Sequence, residues 1–544
     1  MGQRYRISIW TWRGLLGRIK VLGRRMHWNS RVHTFIVAIA LANAVLYNGP
    51  VFSFAVANVA YSTVSGVMIL ANVFFLVTFF TIFFLSLLSV VSERLVKAFC
   101  MLAAPCNAIA LYFVDNYGVI LDKTMMGNVL NTDWAEAGSL FHPKLLLYLL
   151  LLGAAPCWFL SKIHIQRTDW LNRLKLPFLV LLIGVGWIYA NAKTWFWIDK
   201  NFKKLASITM PWSYTINASR HYFDYLSASR EQTLLPTAHF ETNEPAVVLL
   251  VIGEAARAQN FSLYGYRRDT NPLLAESGVI ALPRAHACTT YTTGSVRCIL
   301  SHVNPSSLNS YEPLPNYLHR YGIDVIWRTK NWGEPPLKID SYQRAGDLRE
   351  DCQGNSCEYD EVLLSGLEKR IRSSTKKRIF IVLHQRGSHG PSYYDLYPLQ
   401  FEVFKPVCKS VDLSQCTSAS LVNAYDNSIL YTDYFLHQAI GVLKAFPKIA
   451  SVLIYISDHG ESLGEYGLYL HGTPYSIAPD FQKVVPFLIW MSDAFKQRKG
   501  ISKDQLAPQE SYSQANVFHS VMGAFDMRSE IYNPRLDIFS DATR

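Results

Sequence analysis

From Thr34 to Ser92 the chain has no Asp, Glu, Lys or Arg, an unbroken stretch of 59 residues. A helix that crosses a bilayer needs about 20 apolar residues, so this length predicts two spans. Gly49-Pro50 breaks helices and is expected in their connection. Three more uncharged runs follow, Ala98–Val114, Leu145–Ser161 and Leu176–Ala192, each of 17 residues and near the lower limit for a span. Residues 34–192 are thus predicted to form a transmembrane domain of five α-helices. After residue 241 the pattern changes. Ala246–Ile252, Gly322–Trp327, Arg378–Leu383 and Ser451–Ile456 are short runs rich in Val and Ile without strict alternation, as in buried parallel strands. Helix-like stretches lie between them, such as Asp360–Arg372 and Ala424–Phe446, so residues 241–544 are read as an α/β domain. In between, residues 193–240 mix Trp195, Trp197, Trp212, Tyr214, Tyr222 and Tyr225 with Lys and Arg, which suits a bridging segment in the lipid headgroup layer.

Composition narrows this reading. Half the residues are hydrophobic and 17% are charged, against about 25% in soluble globular chains. Disorder and a disulfide-knotted miniprotein are excluded. The net charge of +11 is concentrated in residues 1–33, which carry eight basic residues and no acidic one. The basic balance is therefore an anchor tail beside an apolar run, not a nucleic-acid face. The loops Glu93–Lys97 and Lys162–Lys175 are net basic, whereas 115–144 is net acidic. The positive-inside rule then puts the tail (1–33) in the cytoplasm and everything after Ala192 outside. The first span lacks a clear cleavage site and is read as an anchor.

Six of the nine Cys lie in the outer half as near neighbours: Cys288 and Cys298, Cys352 and Cys357, Cys408 and Cys416. Close pairs outside the membrane indicate disulfides in an oxidising compartment. Cys100, Cys106 and Cys157 fall inside predicted spans, where packing suffices to explain them.

The residues after each predicted strand carry the chemistry. Gly253-Glu254 follows the first, His384-Gln385-Arg386-Gly387-Ser388-His389-Gly390 the third, and Ser457-Asp458-His459-Gly460-Glu461 the fourth. Ligands collect at the carboxyl ends of parallel strands, and carboxylates with imidazoles form a zinc-type donor set. Each residue alone has a plainer reading, as a solvated Glu or a core His, and it is the arrangement in order that favours a metal. His471 sits in a loop-like stretch with Gly472 and Pro474. The loop from Cys288 to Cys298 holds Thr289, Thr290, Thr292, Thr293 and Ser295, candidate hydroxyl nucleophiles that a metal could activate. Their chemistry does not choose among them, and helix capping is the plainer role.

Together these residues resemble the bacterial phosphoethanolamine transferases that modify lipid A, including the mobile colistin resistance enzymes. The likeness spans the membrane half and the ordered motifs Gly253-Glu254 with Asn260–Tyr266, the Cys-bounded Thr loop, Gly387–Pro391, Tyr425–Ser428 and Ser457–Glu465. It implies an outer domain of alkaline phosphatase/sulfatase type. It also implies that Glu254, Thr292, Asp458 and His459 hold one zinc ion, with Thr292 as nucleophile. His389 and His471 would hold the transferred phosphate or a second zinc. Asn128, Thr132 and Glu136 match residues thought to meet the ethanolamine headgroup, and their i, i+4, i+8 spacing suggests one helical face. The sequence departs from the family at 331–338, Asn-Trp-Gly-Glu-Pro-Pro-Leu-Lys, where a Cys pair flanking a Lys is usual.

The resemblance implies zinc-dependent transfer of phosphoethanolamine from phosphatidylethanolamine to a lipid A phosphate through a Thr-linked intermediate. Polymyxin resistance, a bacterial inner-membrane location with a periplasmic catalytic domain, and a monomeric state are expected with it. Transfer to Kdo or core lipopolysaccharide is the alternative acceptor, and a non-catalytic membrane sensor the alternative of another class. A sulfatase would need a Cys or Ser in a maturation motif that the Thr loop lacks. A phosphoglycerol transferase would share fold and nucleophile type.

Overall fold

The computed structural model describes residues 28–132, 137–138, 140–228, 232–303, 311–501, 506 and 511–540. It divides into two units. One holds the chain up to Asp115 and Pro143–Thr215, and the other holds Asn116–His142 and Ile216 onward. The acidic 116–142 segment therefore belongs with the outer residues, not with the helices that flank it in sequence.

The first unit is helical. Its helices are α1 (Val32–Tyr47), α2 (Gly49–Ala57), α3 (Val64–Val91) and α4 (Glu93–Tyr117), the last reaching just past the unit boundary. After α5 (Lys123–Asn131), which belongs to the second unit, come α6 (Pro143–Lys162), α7 (Trp170–Ala190) and α8 (Ala192–Ile208). The helix α9 (Trp212–Ala228) starts in the first unit and continues into the second. Among the described residues, α3, α4, α6 and α7 are each long and apolar enough to cross a bilayer. The bent pair α1 and α2, 62° apart, makes a fifth candidate.

Two sequence expectations change here. Gly49-Pro50 opens α2 instead of lying in a loop, because Pro is tolerated in the first helical turn. Glu93–Lys97 is the first part of α4, not a loop. Its charges are satisfied locally: Glu93 pairs with Arg173 at 2.9 Å, and Lys97 Nζ donates to the Ile163 carbonyl at 2.7 Å. Several polar groups inside the bundle are likewise paired, as an apolar medium favours. Asn43 and Asn48 both donate to the Met210 carbonyl, at 2.9 and 3.0 Å, and Asn107 donates to Asn43 Oδ1 at 3.2 Å.

The second unit is built on an eight-stranded sheet. In chain order its strands are β1 (Ala246–Gly253), β2 (Ile280–His286), β3 (Asp324–Thr329), β4 (Ser341–Arg344), β5 (Arg378–His384), β6 (Ala450–Ser457), β7 (Val484–Met491) and β8 (Tyr512–Ser513). Their order across the sheet is β8-β2-β7-β6-β1-β5-β3-β4. The four strands expected from the sequence form its parallel centre, β6-β1-β5-β3. Every residue of β1, β5 and β6 is buried, which is why these strands read as continuous apolar runs. The antiparallel strand β7 lies between β6 and β2.

One face of β1 packs Val248, Leu250 and Ile252 with Val517, Phe518 and Val521 of helix α12 (Ala515–Ala524). The short helix α10 (Thr292–Ile299) and the long helix α11 (Ser418–Lys444) complete the elements that matter for the site. The helix expected over Asp360–Arg372 is split into a 3₁₀ segment (Asp360–Leu364) and a short α-helix (Leu367–Arg372), with Gly366 at a φ of 60° immediately before the second piece. The three expected disulfides are present, with Cα separations of 6.4, 5.8 and 5.6 Å.

Candidate active site and metal centre

The three central strands end level with one another, and their following residues meet. Gln385 N donates to the Ile252 carbonyl at 3.0 Å, Asp458 N to Gly253 O at 3.0 Å, and Ser388 N to Glu254 O at 2.9 Å. These bonds stitch the ends of β5 and β6 to the end of β1. Gly387 is required at this seam: its φ is +54°, and a Cβ there would stand 2.6 Å from the Glu254 carbonyl oxygen. Glu254, Asp458 and His459 are fully buried as a result.

Their polar atoms converge. His459 Nε2 lies 3.3 Å from Glu254 Oε1 and 3.2 Å from Asp458 Oδ2. His459 Nδ1 lies 3.0 Å from the Gly460 carbonyl, which can only accept. Nδ1 therefore carries the hydrogen, and in the neutral ring Nε2 presents a lone pair to the two carboxylates. Glu254 Oε1 and Asp458 Oδ2 are buried and receive no hydrogen bond. Asp458 Oδ1, by contrast, accepts from the backbone N–H groups of Ala255 at 3.1 Å and His459 at 2.7 Å. Each carboxylate thus has one oxygen fixed by the protein and one turned inward, as a cation-binding set requires.

The electrostatics agree. Burial and the neighbouring Glu254 push the Asp458 carboxyl well above the usual range. Burial would also raise Glu254, but the charge of His459, with His389 and His471, holds it well below. Burial disfavours a charged His459, yet Asp458 and Glu254 outweigh it and push the imidazole up to about 10. The set draws positive charge to itself, and a divalent cation meets that demand as a proton does.

The loop after β2 brings in the hydroxyl. Cys288 N donates to Gln514 Oε1 at 2.9 Å, and Gln514 Nε2 donates to the Ser457 carbonyl at 3.0 Å, so the loop is braced against the end of β6. Thr292 is the first residue of α10. Its Oγ1 lies 3.2 Å from Glu254 Oε2 and 3.4 Å from His459 Nε2. The other candidates are engaged elsewhere or do not reach. Thr289 Oγ1 bonds the Tyr291 carbonyl, Thr290 Oγ1 the Thr473 carbonyl and Ser295 Oγ the Thr289 carbonyl. Thr293 Oγ1 is buried and bonded to none of the site residues.

His389 and His471 flank the cluster. Their ring centres are 5.2 Å apart, and His471 is 4.2 Å from the His459 ring. One donor atom each from Glu254, His389 and His471 fall within 4.8 Å of one another, as do those of Glu254, Asp458 and His459. Gly472 N donates to the Thr290 carbonyl at 2.8 Å, tying the His471 loop to the Thr loop. Asn128 comes near it: a Cβ at Gly472 would be 3.5 Å from Asn128 Nδ2. Of Asn128, Thr132 and Glu136, expected on one helical face, Asn128 lies within α5 and Thr132 just past its end. Helix α5 ends at Asn131, and the Thr132 hydroxyl folds back on the Asn128 carbonyl at 2.9 Å. Glu136 lies outside the described residues.

Two participants were not singled out from the sequence. Glu461 accepts from Tyr393 Oη at 2.6 Å and lies 2.8 Å from His471 Nδ1. Asn331, in the segment that departs from the family pattern, donates to Glu254 Oε2 at 2.6 Å. For Glu461 a signal existed in its position three residues after Asp458 in the same loop. For Asn331 there was none.

Comparison with known proteins gives one answer. The family described as Sulfatase matches residues 246–527, and that described as Phosphoethanolamine transferase EptA/EptB matches residues 77–225. The chain is 39% identical to phosphoethanolamine transferase EptA of Helicobacter pylori, over 83% of this chain and 86% of that protein. It is 32% identical to phosphatidylethanolamine transferase Mcr-1 of Escherichia coli, over 71% of this chain and 76% of the relative. The structure of the integral membrane lipooligosaccharide phosphoethanolamine transferase A of Neisseria meningitidis superposes with a TM-score of 0.87 at 28% identity, covering 95% of this chain and 99% of that one.

Proposed function

Because the chain belongs to the EptA/EptB family of phosphoethanolamine transferases, and is an enzyme of that kind, we propose that it moves phosphoethanolamine from phosphatidylethanolamine to a phosphate of lipid A by way of Thr292. The observation that carries this reading is the position of Thr292 Oγ1. It is the one hydroxyl of the Cys288–Cys298 loop that touches both Glu254 and His459.

Glu254, Asp458, His459 and Thr292 fit a zinc ion, since their inward donor atoms are oxygen and imidazole nitrogen and two of the carboxylate oxygens have no other partner. Zinc held there would lower the pKa of the Thr292 hydroxyl and offset charge on the phosphoryl oxygens. Thr292 Oγ1 passes its proton to Glu254 Oε2, to which it already donates at 3.2 Å, and forms a bond to the phosphorus of phosphatidylethanolamine, while the diacylglycerol oxygen leaves with the P–O bond electrons and takes up that proton. The N-terminus of α10 favours the negative charge that develops on Thr292. His389 hydrogen-bonds the phosphoryl oxygens, and His471 does so as the imidazolium that an adjacent phosphate charge favours, where stabilisation in a buried site is most effective. A lipid A phosphate oxygen then attacks the same phosphorus, and Thr292 departs with its original oxygen. Asn128, beside the His471 loop, contacts the headgroup.

The enzyme sits in the inner membrane with its tail in the cytoplasm and its sheet domain in the periplasm, as the basic residues at one end of the helices favour. The ammonium it adds offsets lipid A phosphate charge and weakens the binding of polymyxin and other cationic peptides. Expression in a Gram-negative host with unmodified lipid A, beside Thr292→Ala, tests this by mass spectrometry of the extracted lipid. A phosphoethanolamine adduct on lipid A with the native chain alone is the expected result. An adduct on the core sugars and not on lipid A would reassign the acceptor. Adducts with both chains would remove Thr292 from the reaction.

A further inference from the structure

The carboxylate of Glu254 has two unlike oxygens. Oε1 faces His459 and receives no hydrogen bond, while Oε2 accepts from Thr292 Oγ1 at 3.2 Å and from Asn331 Nδ2 at 2.6 Å. The second contact is the shorter and comes from a residue outside the donor set.

Asn331 is itself held from every side. It follows the end of β3, where Lys330 N donates to the His384 carbonyl at 3.0 Å. Its backbone N–H donates to Thr329 Oγ1 at 3.0 Å, and Thr329 Oγ1 donates to the Asn331 carbonyl at 2.7 Å, closing a small ring. Its Nδ2 also donates to the Gln385 carbonyl at 3.0 Å, and its Oδ1 accepts from Trp332 N at 2.9 Å. The amide has only one sensible orientation: both neighbours of Nδ2 are pure acceptors and the neighbour of Oδ1 is a pure donor. A side chain with no free rotor therefore grips one oxygen of Glu254.

We propose that Asn331 is a positioning residue for the metal centre: it occupies Glu254 Oε2 and so fixes Oε1 as the oxygen that takes the cation. The inference rests on the reading of Glu254 as a ligand. Carboxylates free to rotate offer either oxygen and lose order on binding, whereas one whose outer oxygen is already bonded is set in advance. Outer partners of metal ligands typically change affinity by about 10- to 100-fold when removed.

The test uses the full-length protein in detergent, stripped of metal, with zinc affinity read by competition against a chromogenic chelator and thermal unfolding of the stripped protein followed in parallel. Asn331→Ala removes the donors, and Asn331→Leu removes them while filling nearly the same volume, so it carries the test if the alanine variant does not fold. Asn316→Ala is the structural control, because Asn316 ties the same segment through the Pro336 carbonyl at 3.3 Å and Lys338 N at 2.7 Å without touching Glu254. Glu254→Gln checks the premise. The expected result is a roughly 10- to 100-fold loss of zinc affinity in the Asn331 variants, with Asn316→Ala binding zinc as the native chain does. Native affinity in the Asn331 variants, or an equal loss in Asn316→Ala, overturns the inference while leaving Glu254 as a ligand. Undiminished zinc binding by Glu254→Gln overturns the premise instead.

Discussion

His471 Nδ1 lies 2.8 Å from Glu461 Oε2, and this contact decides which nitrogen of His471 faces the site. Glu461 is fully buried, and its other oxygen accepts from Tyr393 Oη at 2.6 Å. With Nδ1 donating to the carboxylate, Nε2 of the neutral ring offers its lone pair to a cation, and only the imidazolium can donate from Nε2 to a phosphoryl oxygen. Burial and the nearby His459 keep the His471 imidazole below its ordinary value, so neutrality is its favoured state. Replacing Glu461 with Ala frees the ring to turn, and we expect the transfer rate to fall by about 10- to 100-fold. Tyr393→Phe removes only one of the two bonds and should cost less. Rates of the two purified variants, measured side by side, check the order.

Thr292→Ala should reduce transfer by at least about 10³-fold, since a chain without the nucleophile retains only binding and electrostatic help. Thr290→Ala, which removes a hydroxyl bonded to the Thr473 carbonyl, should lower activity far less. If both variants fall equally, the loop acts through its shape and not through one hydroxyl.

The bond between Cys288 and Cys298 closes a loop with a sequence separation of 10 around Thr292. Chain-entropy arguments assign a loop of that size about 3 kcal/mol. Replacing both Cys with Ser should lower the stability of the outer unit by about 2–3 kcal/mol and reduce turnover. Equilibrium unfolding of the native chain and the double Ser variant, both without reductant so that the other two disulfides stay closed, provides the comparison.

His519 predicts a pH effect on stability away from the site. It is buried, its Nδ1 accepts from Asn533 N at 3.2 Å, and burial lowers its imidazole to about 4. In the unfolded chain a histidine titrates near 6.5. The folded state therefore favours the neutral ring, and stability is lost as pH falls from about 6.5 towards 4, by up to about 3 kcal/mol. His519→Gln, which keeps an acceptor and cannot be protonated, should flatten the unfolding midpoint over that window. An unchanged slope would show that other groups set it.

The centre of the sheet was legible because β1, β5, β6 and β3 are each short and built around a run of apolar residues. The candidate site was legible in outline because Glu254 and Asp458-His459 directly follow β1 and β6, and His389 lies five residues past the end of β5. The antiparallel strands β2 and β7 were not. Each carries a Pro, at 283 and 486, which argues against a strand in a sequence reading. The structure accommodates them at an irregularity, where the pairing shifts between Val485 and Phe487 and Arg284 adopts a φ of 51°. Asn331 was invisible for a different reason. Its partner Glu254 is 77 residues away, and it takes the pairing of β3 with β5 and of β5 with β1 to bring the two together.

The central claim is that the phosphoethanolamine group passes through Thr292. Incubating the purified protein with phosphatidylethanolamine and no acceptor, quenching in acid, and sequencing the peptides by mass spectrometry tests it directly. A phosphoethanolamine group on Thr292, discharged when acceptor lipid is added, is the predicted result. An unmodified Thr292 in protein that still transfers the group, or an adduct on another side chain, would contradict it.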